Sequence, residues 1–120
     1  MPGAPMDIRI IAQPISFSAV AEAAAAQFGD MVKAVVDIDR GVMALGGELH
    51  ADAEAKLLED GSRQEHLWGI NIYPGKSAAE RVEFDSMINI RPSQANRSRG
   101  VDDPGTREAV LKTVGRLVIP

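Results

Sequence analysis

The chain predicts an α+β fold: a mainly antiparallel sheet of about five strands with three helices, in the order β-α-β-β-α-β-β-α. Three observations carry this reading. Runs rich in β-branched residues come in pairs separated by short turns containing glycine or proline, the pattern of antiparallel hairpins. Between the pairs lie segments of helix formers, flanked by capping residues or closed by glycine. A length of 120 residues, 45% hydrophobic and 25% charged, fits one globular domain over residues 1–120 that can bury its own core.

Residues 1–6 are expected to be a flexible N-terminus. Asp7 to Ala12 ("DIRIIA") reads as the first strand, ended by Pro14, which cannot donate to a ladder. Ser16 is a plausible N-cap for the alanine-rich helix from Phe17 to Phe28, closed by Gly29. "MVKAVVDI" (31–38) and "VMALGGEL" (42–49) form a hairpin across Asp39-Arg40-Gly41. Ala51 to Glu59 is a short, mostly polar helix that Asp60-Gly61 stops; its apolar content is mainly Leu57 and Leu58.

A second hairpin joins Leu67–Tyr73 ("LWGINIY") to Arg81–Arg91 ("RVEFDSMINIR") through Pro74-Gly75. Strand alternation would turn Trp68, Ile70, Ile72, Val82, Phe84, Ile88 and Ile90 to the core. It would turn Asn71, Tyr73, Glu83, Asp85, Asn89 and Arg91 to a polar face. After the irregular "RPSQANRSRGV", Asp103 caps a last helix with Pro104 at its first position and Val110, Val114, Leu117 and Val118 at helical spacing. The helices are expected to cover one face of the sheet.

The runs "AVVDIDRGVMALGGELHADAEAKLLEDGSRQEHLWGINIYP" and "EFDSMINIRPSQANRS" closely resemble a family of small prokaryotic proteins catalogued only as a domain of unknown function. The likeness extends over roughly Met6 to Leu117. It implies a free-standing domain of bacterial type and, because no activity, cofactor or substrate is attached to that family, it implies no chemistry.

Composition excludes several functions. With no cysteine, the chain has no disulfide, thiolate nucleophile or cysteine-held metal. No apolar run approaches the ~20 residues of a membrane span, and the start lacks the basic-then-apolar order of a signal peptide, so a cytoplasmic protein is expected. A net charge of −4 disfavours nucleic acid, and aromatic residues at 4% leave few stacking platforms for a single strand. Neither a phosphate-loop nor a dinucleotide glycine pattern occurs, and the serines lack a nucleophile-elbow context.

The densest chemistry is "ELHADAE", Glu48 to Glu54, directly after Gly46-Gly47. If extended, it would place Glu48, His50 and Asp52 on one side at period two, a nitrogen and two carboxylates able to serve a divalent metal or acid–base catalysis. The plainer reading ends the strand near Leu49, with His50 or Asp52 capping the helix and Glu54 in its first turn. Gly46-Gly47 fits a bulge or bend at that strand end. The polar strand face needs a reason, because Asn and Asp compete with ladder pairing. Asn71, Asp85, Asn89 and Arg91, joined by Asn96 and Arg97 from the following loop, are therefore the candidate ligand-binding residues, with Arg99 beside them in that loop.

Two functions follow. One is a small ligand- or partner-binding domain that takes a small anionic ligand and forms a homodimer, its polar site built from the ELHAD segment, the INIRP strand and the NRSR loop. The other is a metal-assisted hydrolase or lyase using Glu48, His50 and Asp52, with Arg91 or Arg97 orienting an anionic substrate. The sequence identifies no cofactor. If the segments converge, Glu48 and His50 should emerge near Asn71, Asn89 and Arg91.

Overall fold

The β-branched and small residues between Val32 and Gly46 build the centre of the molecule as two adjacent strands, β3 (Val32–Asp37) and β4 (Val42–Gly46). Asp37 makes the turn between them: its Oδ1 accepts from the backbone N–H groups of Asp39 and Arg40, each at 2.9 Å, and Gly41 closes it at φ +69. β1 (Ile8–Ile11) flanks β4, while β5 (Leu67–Ile72) and the short β6 (Val82–Glu83) extend the other side. The five strands run β1-β4-β3-β5-β6, every neighbour antiparallel. This computed structural model describes residues 7–120, so the expected flexible N-terminus at 1–6 lies outside the described residues.

Three helices complete the α+β architecture. α1 (Phe17–Ala26) is capped by Ser16, whose Oγ accepts from the N–H of Ala19 at 3.1 Å. It stops short of Phe28, and Gly29 at φ +95 returns its N–H to Ala24 O. α2 (His50–Glu59) starts one residue earlier than expected, and α3 (Pro104–Leu117) starts at its proline with Asp103 accepting from the N–H of Thr106. A pair outside the expected order also forms: β2 (Ile15–Ser16) runs parallel to β7 (Val118–Ile119), tying the start of α1 to the end of α3. Among the described residues no helix is long and apolar enough to cross a membrane.

The expectation that helices cover one face is corrected. Val20 and Ala24 of α1 and Val110, Val114 and Leu117 of α3 pack on Ala34, Val36, Met43, Leu45, Trp68, Ile70 and Ile72. On the opposite face Ala53 and Leu57 of α2 pack on Val35, Val42, Ala44 and Leu67. The physical reason is visible in the strands: β3, β4 and β5 carry apolar residues at both parities, as strands buried on both faces must.

The long second strand expected over Arg81–Arg91 is corrected too. Ladder pairing stops at Glu83, and the chain then makes a tight helical turn, Met87–Asn89, whose first N–H groups include that of Ile88, taken by Ser86 Oγ at 3.3 Å. Side chains that bond their own backbone compete here with the ladder and win. The expected alternation therefore breaks. Val82 and Phe84 join one core, Ile88 joins the other, Ile90 is exposed, and Asn89 is completely buried.

Gly46 shapes the approach to α2. At φ +109 it bends the chain out of β4, and a Cβ there would lie 2.1 Å from the carbonyl oxygen of Asp7. The "ELHADAE" stretch thus leaves the sheet at once and enters a helix.

Candidate functional site

Helix α2 buries His50, Ala53 and Leu57, residues three and four apart on one face. His50 opens that face, so its ring turns in against the sheet and its Nε2 donates to Ile70 O at 2.8 Å. A carbonyl only accepts, which fixes the proton on Nε2 and leaves Nδ1 with its lone pair. Burial is the main influence on this imidazole and holds its pKa below the ordinary 6.5; Lys33 lowers it further, while the Ile70 carbonyl, Asp85 and Asn71 oppose. His50 is a neutral acceptor near pH 7.

The ring lies over Gly69, where a Cβ would come within 3.2 Å of His50 Cδ2 and 2.6 Å of Ser86 Oγ. Only a glycine lets the helix start and the 83–99 segment close down together on β5. Next to it, Lys33 on β3, Asn71 on β5 and Glu83 on β6 occupy one cross-strand row, Lys33 opposite Asn71 and Asn71 opposite Glu83. Asn71 Nδ2 donates to Glu83 Oε1 at 2.8 Å, and Tyr73 donates its hydroxyl to the same oxygen. The other amide atom, Asn71 Oδ1, is enclosed and has no partner. Asn71 is only 5% exposed, so this is a deeply placed polar group with an unused acceptor.

These side chains line a cleft of about 620 Å³, with Met31, Leu49, Met87 and Ile88 as its apolar portion and Asp85 paired to Arg99 at 2.6 Å on its rim. Helix α2 begins in it. Its N-cap residue, Leu49, has no side chain that could accept a hydrogen bond, so the N–H groups of the first turn are not capped by any side chain. The cleft therefore combines a positive helix end and Lys33 with a carboxylate pair and a neutral imidazole.

Of the candidate site residues, His50, Asn71 and Asp85 line this cleft. Glu48 and Asp52 do not: both are exposed, and the helix beginning at His50 abolishes the period-two alignment that would have grouped them with it. Nor does either His50 or Asp52 cap α2, since the capping position falls to Leu49. Among the described residues no three His, Asp or Glu side chains gather as a cation-binding group.

The remaining candidates hold the backbone. Asn89 clamps Gly69 and Arg99 O. Asn96 Nδ2 donates to the carbonyls of Asn89 and Gly100 at 2.8 Å each and its Oδ1 accepts from the N–H of Asp102. Arg91 donates to Leu67 O at 2.6 Å and to Gln64 O, with its guanidinium 4.2 Å from the Trp68 ring centre. Arg97 is exposed, and its backbone N–H reaches Asp102.

Lys33 and Ser86 enter the cleft without having been among the site candidates, and Arg99 reaches it from the NRSR loop. Lys33 had a legible signal: a lone charge in the apolar run "MVKAVVDI". Ser86 had none, because its position depends on the unpaired path of the chain after Glu83.

Comparison with known proteins adds family membership. No curated protein and no solved structure matches the chain significantly. A family model described as "Protein of unknown function (DUF5674)" matches residues 9–117. The chain belongs to this DUF5674 family of proteins of unknown function.

Proposed function

We propose that this domain binds a small anionic ligand in the cleft between the start of α2 and the segment 83–99. The observation that carries the reading is an uncapped ten-residue helix start opening beside Lys33 in the cleft. Helix N–H groups and the dipole favour an anion at that position. Lys33 adds a full charge, and among the described residues it forms no ion pair. A volume of about 620 Å³ is of the size that small-molecule sites have.

The metal-assisted hydrolase or lyase gains no support from this geometry, because two of its three residues, Glu48 and Asp52, do not line the cleft. A titration with sodium acetate and with inorganic phosphate, followed by the backbone amide resonances of His50 and Ala51, tests the proposal. Saturable shifts confined to the start of α2, and weakened in Lys33→Ala, are expected. Shifts that never saturate, or that spread evenly over the surface, would sink it.

A further inference from the structure

We infer that the ligand is a small amino-acid zwitterion with an apolar side chain, a substrate class that rests on the anion site proposed above and adds its other half. The row Lys33, Asn71, Glu83 crosses three neighbouring strands on one sheet face, so a cation, an amide and a carboxylate stand in line. Strand spacing separates the two charged backbones by roughly 10 Å, a span over which flexible side chains close on a molecule seated above Asn71. The carboxylate of the ligand takes the Lys33 end, where the start of α2 also offers its N–H groups. Its ammonium takes the other end.

That other end is built from acceptors. Glu83 and Asp85 each have one carboxylate oxygen outside the contacts described, since Glu83 uses Oε1 for Asn71 and Tyr73, and Asp85 uses Oδ1 for Arg99. Tyr73 lines the same end, its hydroxyl directed at Glu83 Oε1. A simple anion satisfies none of these, whereas an ammonium brings three donors. The charges lining the cleft also balance: Lys33 and Arg99 against Glu83 and Asp85. A ligand with no net charge but separated ends matches that balance.

The apolar side chain is inferred from the rim. Leu49 at 59% and Met87 at 65% exposure are the two most exposed large hydrophobics among the described residues, and both line this cleft with Met31 and Ile88. Apolar surface left open at a polar site marks where a ligand's own apolar part is covered.

Calorimetric titration with L-leucine, 4-methylpentanoate (no ammonium), 3-methylbutylamine (no carboxylate) and glycine tests each part. L-leucine is expected to bind at least about tenfold more tightly than each of the other three, the size of one lost charge-assisted contact. Glu83→Gln, which keeps an acceptor for Asn71 and Tyr73, is expected to remove the advantage of leucine over 4-methylpentanoate and leave the acid unaffected. Equal binding of 4-methylpentanoate and leucine overturns the zwitterion while leaving the anion site standing. Saturable acetate binding without leucine binding does the same. If neither acid nor leucine binds, both readings fall.

Discussion

The side chain of Asn89 stands in for a β-strand at Gly69. Its Oδ1 accepts the Gly69 N–H at 2.8 Å and its Nδ2 donates to the Gly69 carbonyl at 3.0 Å, the two bonds that a neighbouring strand would have supplied had β6 not ended at Glu83. The second amide hydrogen reaches Arg99 O at 2.9 Å, so one carboxamide ties the free edge of β5 to the loop that carries the cleft rim.

Replacing Asn89 by Ala should therefore cost about 3 kcal/mol or more, because three buried or half-buried backbone groups lose partners at roughly 1–3 kcal/mol each. Asn89→Asp keeps the acceptor and loses both donors, and is expected to be nearly as damaging. Urea unfolding measures both. An Ala variant within about 0.5 kcal/mol of the parent would show that solvent replaces these bonds and that the clamp is not needed.

Gly69 leads to a second expectation. A methyl group there would meet Ser86 Cβ and Oγ at 2.6 Å and His50 Cδ2 at 3.2 Å, so the helix start and the 83–99 segment would have to lift away from β5. Gly69→Ala should destabilise by about 1–3 kcal/mol through overpacking. Adding Ser86→Gly, which removes the colliding atoms, should return part of that loss, so that the double variant is more stable than the sum of the two single changes predicts. Strict additivity would place the strain elsewhere.

The sheet and helices were legible because their causes are local: β-branched runs paired across Asp39-Arg40-Gly41, Ser16 and Asp103 at helix starts, Gly29 at a helix end. Burial of the sheet on both faces was written in the double parity of "KAVV" and "VMAL" but needed the number of helices on each side to be read. The site was half legible. His50 and Asn71 are polar residues in places where polarity is costly, and both proved to line the cleft. Asn89, which the pattern puts on a polar strand face, and Asn96, which it puts in the following loop, satisfy backbone groups instead, because an Asn in an irregular segment serves as a portable peptide group. Local patterning cannot separate these two uses of one side chain.

Arg91 belongs to the structural group, and its substitution should separate fold from binding. Its guanidinium donates to Leu67 O and Gln64 O while covering the Trp68 ring, and burial lowers its pKa below the usual arginine value. Arg91→Ala is expected to cost about 2 kcal/mol from the unpaired carbonyls and the lost cation–π contact. Trp68 is the only tryptophan, so its fluorescence reports the loss directly. The shifts of the α2 amides on adding acetate should stay as in the parent. Loss of those shifts in a folded Arg91→Ala protein would return Arg91 to the binding site.

His50 gives the fold a dependence on pH whose direction follows from its surroundings. Burial is the largest influence and keeps the imidazole neutral below its ordinary 6.5; Lys33 across the sheet acts the same way, and the Ile70 carbonyl, Asp85 and Asn71 oppose without overcoming them. In the unfolded chain the same ring takes up a proton nearer 6.5. Below that value the unfolded state holds more protons than the folded one, so acidification favours unfolding. The contribution of His50 is fully present above the unfolded value and declines as pH falls from there through the lower folded value. Asp102 and Asp103, held below the usual carboxylate value by bonds from Ser98 and Thr106, lose their contributions only at more acid pH, and so do not mask the effect. Urea midpoints compared between about pH 7.5 and about pH 5 should therefore fall more for the parent than for His50→Gln, whose amide can still donate to Ile70 O but does not titrate. Parallel curves for the two proteins would mean that the imidazole titrates alike in both states and that the sheet does not hold it neutral.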